Sequence, residues 1–148
     1  MLLNLLLLQC INKYYIFFTF ILIILNIFTL IISNYIDSLF RLIIDKYYIN
    51  KLIIKLNKIK PIIIGITGSY AKTSTKNYLD SILKLKYNTL KTKGNINTFR
   101  GIISYLNKNL NDNHEVIILE IGIDKKKGMN KFLKVFNFDY AFLTGIEK

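Results

Sequence analysis

Tyr14 to Ser33 (YYIFFTFILIILNIFTLIIS) is a run of 20 residues without a charge, and no other feature limits the chain's folding choices as strongly. As an α-helix it would be about 30 Å long, the thickness of a bilayer's hydrocarbon core. Asn26 and the threonines can satisfy their polar groups within such a helix, so they do not oppose it. A cleaved signal peptide would show a shorter apolar stretch and a small-x-small site, and none stands near Ser33 and Asn34. The run therefore reads as an uncleaved transmembrane anchor. Met1 to Cys10 is also apolar but too short to span alone. It either extends the same helix, with Lys13 reaching for the headgroups, or lies in the interface.

Charge is distributed to match. The 148 residues carry 21 Lys+Arg against 9 Asp+Glu, a formal net charge of +12. Residues 1–33 hold one charged side chain, Lys13. Arg41, Lys46, Lys51, Lys55, Lys58 and Lys60 follow the span, and the positive-inside rule then predicts a single pass with the C-terminal side in the cytoplasm. Residues 36–57 read as an amphipathic helix: Ile36, Leu39, Phe40, Ile43, Ile44 and Tyr47 fall on one side, Asp37, Arg41 and Asp45 on another. Its basic end suits either an anionic membrane surface or a solvated linker. The expected organisation is a hydrophobic N-terminus (1–33), a basic juxtamembrane helix (34–60) and a soluble remainder (61–148). Several function classes drop out. One Cys cannot form an internal disulfide, and one Cys with one His cannot complete a zinc cage. Nucleic-acid binding has only net charge in its favour and no recognition motif. His114 and Lys125 to Lys127 read as solvated turn residues.

From Pro61 the pattern changes. Ile62 to Thr67 (IIIGIT) has the β-branched character of a strand buried on both faces. Gly68, Ser69, Tyr70, Ala71, Lys72, Thr73 and Ser74 follow, then a helical pattern through Leu79, Ile82, Leu83 and Leu85. A strand, a turn of small residues, Lys-Thr-Ser and a helix form the context of a nucleotide phosphate loop. Backbone N–H groups would cradle phosphate oxygens, Lys72 would neutralise the β/γ-phosphates of a nucleotide, and the Thr73 hydroxyl would hold Mg²⁺. The general pattern has Gly where Ile66 and Ala71 stand. If position 71 needs a positive φ, Ala costs about 1–2 kcal/mol there. The competing interpretation is an ordinary strand-to-helix turn capped by Ser or Thr.

Beyond it, Tyr87–Thr92, Val116–Ile121 and Tyr140–Thr144 read as strands, with helices over Thr98–Leu110 and Lys127–Phe136. Such alternation predicts an α/β fold with a parallel βαβ sheet, whose ligands sit at the C-terminal ends of strands. Glu120 falls at such an end, closing an apolar strand. A carboxylate there needs a partner: either Mg²⁺, or a helix N-terminus or Lys.

These residues carry a resemblance. Gly65 to Lys76 (GITGSYAKTSTK), Gly94 to Gly101 (GNINTFRG), Glu120 to Gly122 with Lys127 and Gly128 following, and Asp139 to Thr144 (DYAFLT) are similar, in order and spacing, to the central ATP-binding domain of the Mur ligase family. The type that adds D-alanyl-D-alanine to a muramyl tripeptide is the most similar. The resemblance covers about Ile62 to Ile146. It implies a P-loop-type sheet, ATP and Mg²⁺ as cofactors, and ATP-dependent amide-bond formation through an acyl phosphate in peptidoglycan precursor synthesis. By family position, Lys72 is catalytic, Thr73 and Glu120 serve Mg²⁺, and Asn97 lies near the nucleotide. A UDP-muramyl-peptide and an amino acid or dipeptide become partners if further domains complete the enzyme. Gly145 stands where the family has Asn, and no His follows it. The expectation is an anchor plus an incomplete ATP-binding domain. The alternative is a non-catalytic, anchored nucleotide-binding remnant or interaction protein.

Overall fold

The computed structural model describes residues 2–123 and 128–146, with side chains from Lys13 onward. It divides into two units, Met1–Ile44 and Asp45–Lys148. Lys125 to Lys127 lie outside the described residues.

The first helix, α1, runs without a break from Leu2 to Ile59, where two helices separated near Ser33 were expected. Neither Ser33 nor Asn34 interrupts it, because neither residue blocks an i→i−4 bond as Pro would. In the first unit, every described side chain from Lys13 to Ile44 is exposed. Polar groups in the apolar run turn back onto the helix: Thr19 Oγ1 donates to the Ile16 carbonyl (2.9 Å), Asn26 Nδ2 to Leu22 (2.9 Å) and Thr29 Oγ1 to Asn26 (2.8 Å). Arg41 bonds Asp37 one turn back, at 2.5–2.8 Å. This helix is long and apolar enough to cross a membrane by length and composition.

In the second unit, the rest of α1 is part of a folded core. Leu52 and Leu56 are buried, with Ile49 and Ile59 packed beside them. That spacing keeps one stripe of the helix pointed inward. Lys55 Nζ donates to the Asn107 and Leu110 carbonyls (3.1 and 2.9 Å), and Arg100 pairs with Asp45. The stretch expected as a separate juxtamembrane element thus divides after Ile44.

Four parallel strands follow in the order β2-β3-β1-β4, where β1 is Ile62–Thr67, β2 Thr89–Lys91, β3 Val116–Glu120 and β4 Tyr140–Leu143. β1 and β3 pair from Ile62↔Val116 to Ile66↔Glu120. Both are central and almost wholly buried, as their β-branched runs demand. Helices α2 (Lys72–Leu83), α3 (Phe99–Asn109) and α4 (Asn130–Leu133) connect them. α3 starts where Thr98 Oγ1 accepts the Gly101 amide. One core cluster holds Leu52, Leu56, Ile102, Leu106, Ile117, Leu119 and Phe132; Phe99 meets Phe132 edge-on at 5.2 Å. Leu79, Leu83 and Tyr87 pack against a second cluster of Ile64, Ile66, Val116 and Ile118. β2 is shorter than the expected Tyr87–Thr92: the Asn88 amide donates to the Glu115 carboxylate instead of a neighbouring strand, and Tyr87 packs against the second cluster. α4 is a single turn within the expected Lys127–Phe136. The fold is α/β with an all-parallel sheet.

Candidate functional site

The C-terminal ends of β1 and β3 converge on one region. β1 ends at Thr67, and the chain enters a loop in which Gly68 adopts φ 143° and Ala71 φ 60°. Only a residue without Cβ takes the first value easily. Ala71 carries the left-handed strain that its position in the motif raised, so the reading conditional on positive φ applies.

Ala71 also caps α2. Its conformation is left-handed (φ 60°, ψ 8°), and no side chain caps the helix. The expected alternative, a turn capped by Ser or Thr, is therefore not what forms here. The first amides of an α-helix have no intrahelical acceptor, and an anion at that end meets both those groups and the helix dipole.

The loop is tied down from β4. Thr144 N donates to the Thr67 carbonyl at 2.9 Å, Thr144 Oγ1 to the Tyr70 carbonyl at 2.6 Å, and Ser69 N to the Gly145 carbonyl at 2.9 Å. A cleft of about 550 Å³ opens between these segments, lined by Gly68, Ser69, Lys72, Asn97, Gly122 and Gly145 among others. Lys72 Nζ donates to the Gly68 carbonyl at 2.6 Å, and Ser69's carbonyl lies 3.4 Å away. Asn97 enters from the β2–α3 loop, where its carbonyl accepts the Gly122 amide at 2.8 Å. Ala71 and Ser74 are exposed.

Tyr70 and Gly145 are matched in size. A Cβ on Gly145 would stand 2.5 Å from Tyr70 Cζ, so the missing side chain at 145 gives the tyrosine ring its room. What reads in sequence as a departure is, in the structure, one half of a steric pair.

Glu120 is 2% exposed. Its Oε2 accepts from Thr73 Oγ1 at 2.9 Å and from Lys76 Nζ at 2.8 Å. The two candidate metal-holding residues are therefore adjacent, and the Lys alternative for Glu120 is also realised. Lys76 was not singled out from the sequence, although its i,i+3 spacing from Thr73 places both on one face of α2. It is 1% exposed and also donates to the Gly94 carbonyl.

Farther along α2, buried Asp80 joins that helix to β2. Thr89 Oγ1 donates to it at 2.6 Å, and Lys84 and Lys91 pair with it at 2.9 and 2.8 Å. Burial pushes this carboxyl up, but the bonds from Lys91, Thr89 and Lys84 outweigh it and hold the pKa below its ordinary 3.8.

A family model described as the Mur ligase middle domain matches residues 66–148. The UDP-N-acetylmuramoyl-tripeptide–D-alanyl-D-alanine ligase of Bacillus subtilis is 34% identical over 85 residues, 57% of this chain and 18% of that protein. The ligase of the same name from Borreliella burgdorferi is 37% identical over 84 residues, 56% of this chain and 18% of that protein. Among solved structures, the MurF ligase of Thermotoga maritima in complex with ADP superposes with a TM-score of 0.62 at 28% identity, covering 68% of this chain and 23% of that one. MurF from Acinetobacter baumannii gives 0.55 at 29%, covering 60% and 19%. The chain thus spans about a fifth of the length of these relatives. A match over more than half of the chain, on a parallel sheet of the same fold, places it in the Mur ligase family through that family's middle domain.

Proposed function

We propose that this chain is the ATP-binding part of a Mur-type ligase, acting in peptidoglycan precursor synthesis and held at a membrane by α1. The observation that carries the reading is the joining of a cleft lined by Gly68, Ser69 and Lys72 to the left-handed, uncapped start of α2, whose Thr73 bonds Glu120 at the end of β3. The relatives are named as ligases joining D-alanyl-D-alanine to a UDP-muramyl tripeptide, and one structural neighbour holds ADP. In this reading the loop amides from Gly68 to Ser74 receive the phosphates. Lys72 exchanges the Gly68 carbonyl for phosphate oxygens, and Asn97 borders the opposite wall. Thr73 and Glu120 fit Mg²⁺, because a hydroxyl and a carboxylate oxygen 2.9 Å apart are the hard donors it prefers. When bound, Mg²⁺ would neutralise charge developing on the transferred phosphoryl group. The chain's own residues orient that group for attack by a substrate carboxylate, which displaces ADP and becomes an acyl phosphate. The amine of an amino acid or dipeptide then attacks the acyl carbon, releasing phosphate and a proton as the amide forms. The UDP-muramyl-peptide and amine sites belong to further domains of the family enzyme.

The run Tyr14–Ser33, exposed and uncharged throughout, supports a single-pass anchor, and the basic residues after it support a cytoplasmic α/β unit. A second reading, a non-catalytic anchored nucleotide-binding protein, draws on the strained Ala71. The test is Mg-ATP binding by the full chain in detergent. Lys72→Ala is expected to weaken it about tenfold or more, the loss of a charged hydrogen bond. Unchanged affinity would sink the phosphate loop. Binding without any phosphoryl transfer, when the remaining ligase domains are supplied, would favour the second reading.

A further inference from the structure

We infer that Lys76 is a positioning residue that makes divalent-cation binding at Glu120 conditional on nucleotide phosphates. The inference rests on the phosphate-cleft reading above and concerns a side chain that reading does not use. α2 carries two lysines one turn apart with different surroundings, and only Lys72 lines the cleft. Lys72 is partly exposed and bonds loop carbonyls. Lys76 is buried, and its ammonium group meets Glu120 Oε2 and the Gly94 carbonyl. A buried ammonium is stable only with such compensation, and so is the carboxylate facing it.

The charge balance follows. Among the described residues there is no group of three or more His, Cys, Asp or Glu that could hold a metal ion. Thr73 brings a neutral hydroxyl and Glu120 one negative charge, which Lys76 cancels. A divalent cation arriving alone finds no net negative charge to offset its lost hydration. Phosphate oxygens on the loop would supply it, so cation and nucleotide bind together. Lys76 meanwhile holds Glu120 beside Thr73 in the nucleotide-free chain. Through Gly94, at φ 54°, it also fixes the loop that presents Asn97.

The experiment titrates Mn²⁺ into the full chain in detergent at pH 8 without nucleotide, following the free ion by electron paramagnetic resonance. Lys76→Met leaves Glu120 uncompensated and is expected to raise Mn²⁺ affinity about tenfold or more over the parent, since the repelling charge is gone. Lys76→Arg, which keeps the charge, should stay at the parent level. Lys76→Gln repeats the charge removal while keeping a donor for Gly94, in case the Met variant does not fold. The gain must disappear when Glu120→Gln is added. No gain in either neutral variant, an equal gain in Lys76→Arg, or a gain that survives Glu120→Gln would each overturn the inference. Mg-ATP binding by the parent chain, measured in separate samples, reports on the phosphate cleft separately. Its failure would overturn that reading whatever Mn²⁺ does.

Discussion

Two stretches of one helix have the same taste for Ile and Leu and opposite fates. From Lys13 to Ile44 every side chain of α1 is exposed; from Asp45 onward Leu52 and Leu56 are fully or almost fully buried. The difference is clear for Tyr14–Ser33, which has no charge anywhere on its circumference, whereas the stretch from Asp45 alternates an apolar stripe with Asn50, Lys51, Lys55 and Lys58. A helix greasy on all sides has no single face to offer a sheet, which suits the proposed membrane anchor. A striped one completes a core. Every residue whose loss unfolds the α/β unit should therefore lie after Ile44.

The sharpest way to break this contrast is to delete equal volumes from both stretches. Leu52→Ala or Leu56→Ala should destabilise the α/β unit by about 2–5 kcal/mol, the cost of a core cavity. Leu25→Ala, at a site 53% exposed, should leave its unfolding within about 0.5 kcal/mol. Denaturant titration of the full chain in detergent, followed by circular dichroism, measures both. Equal effects would mean that the two stretches are not separate in kind. Comparable in size, Leu25→Lys should disfavour the proposed membrane insertion by about 3–4 kcal/mol, read as the fraction of chain resisting alkaline extraction. It should leave the unfolding midpoint of the α/β unit in place.

The second-unit half of that comparison was also the harder one to read in sequence. β1, β3 and α3 were legible because their patterns of apolar residues belong to short windows whose meaning does not depend on distant partners. The loop from Gly68 to Ser74 was legible as a motif, down to the conformational demand on Ala71. The partition of α1 was not: Ile36 to Tyr47 shows a helical stripe as good as that of Ile49 to Ile59, and only the fold decides which stripe meets α3. Lys76 was missed because a lysine on a helix ordinarily signals a solvated face, and its carboxylate partner lies 44 residues away. Gly145 shows in sequence only as a departure from the family's Asn, since its steric match depends on a ring 75 positions earlier.

Polar contacts within the second unit sharpen the comparison at lower energies. Asp80→Asn should destabilise the unit by about 1–3 kcal/mol at pH 7, the cost of weakening a buried hydrogen-bonded group. The pH dependence has a fixed sign. The folded pKa of Asp80 is lowered, so its contribution is fully present above the ordinary value of 3.8. It disappears as the pH falls through the lowered folded value. The gap between parent and variant should accordingly shrink in acid, and a gap that widened below pH 3.8 would reverse the assignment. Arg41→Gln, removing the exposed pair with Asp37 in the first unit, should show no such acid-sensitive gap in α/β-unit stability.

The smallest effect belongs to the one strained residue in the cleft. Ala71 holds φ 60°, where an L-residue's Cβ crowds the following carbonyl, at a cost of about 1–2 kcal/mol. Glycine removes the clash but gives the unfolded chain more freedom, which returns about 0.4–1 kcal/mol of the gain. Ala71→Gly should therefore stabilise the α/β unit by about 0.5–1 kcal/mol. The backbone conformation that presents the loop amides is the same in both, so ATP affinity should change less than about twofold, under 0.4 kcal/mol. Stability that rises while affinity stays level would mean that the strain is carried by the fold as a whole, through Leu52, Leu56 and the central strands. A large gain in affinity would instead mean that the loop of the parent chain is not yet in its phosphate-binding form.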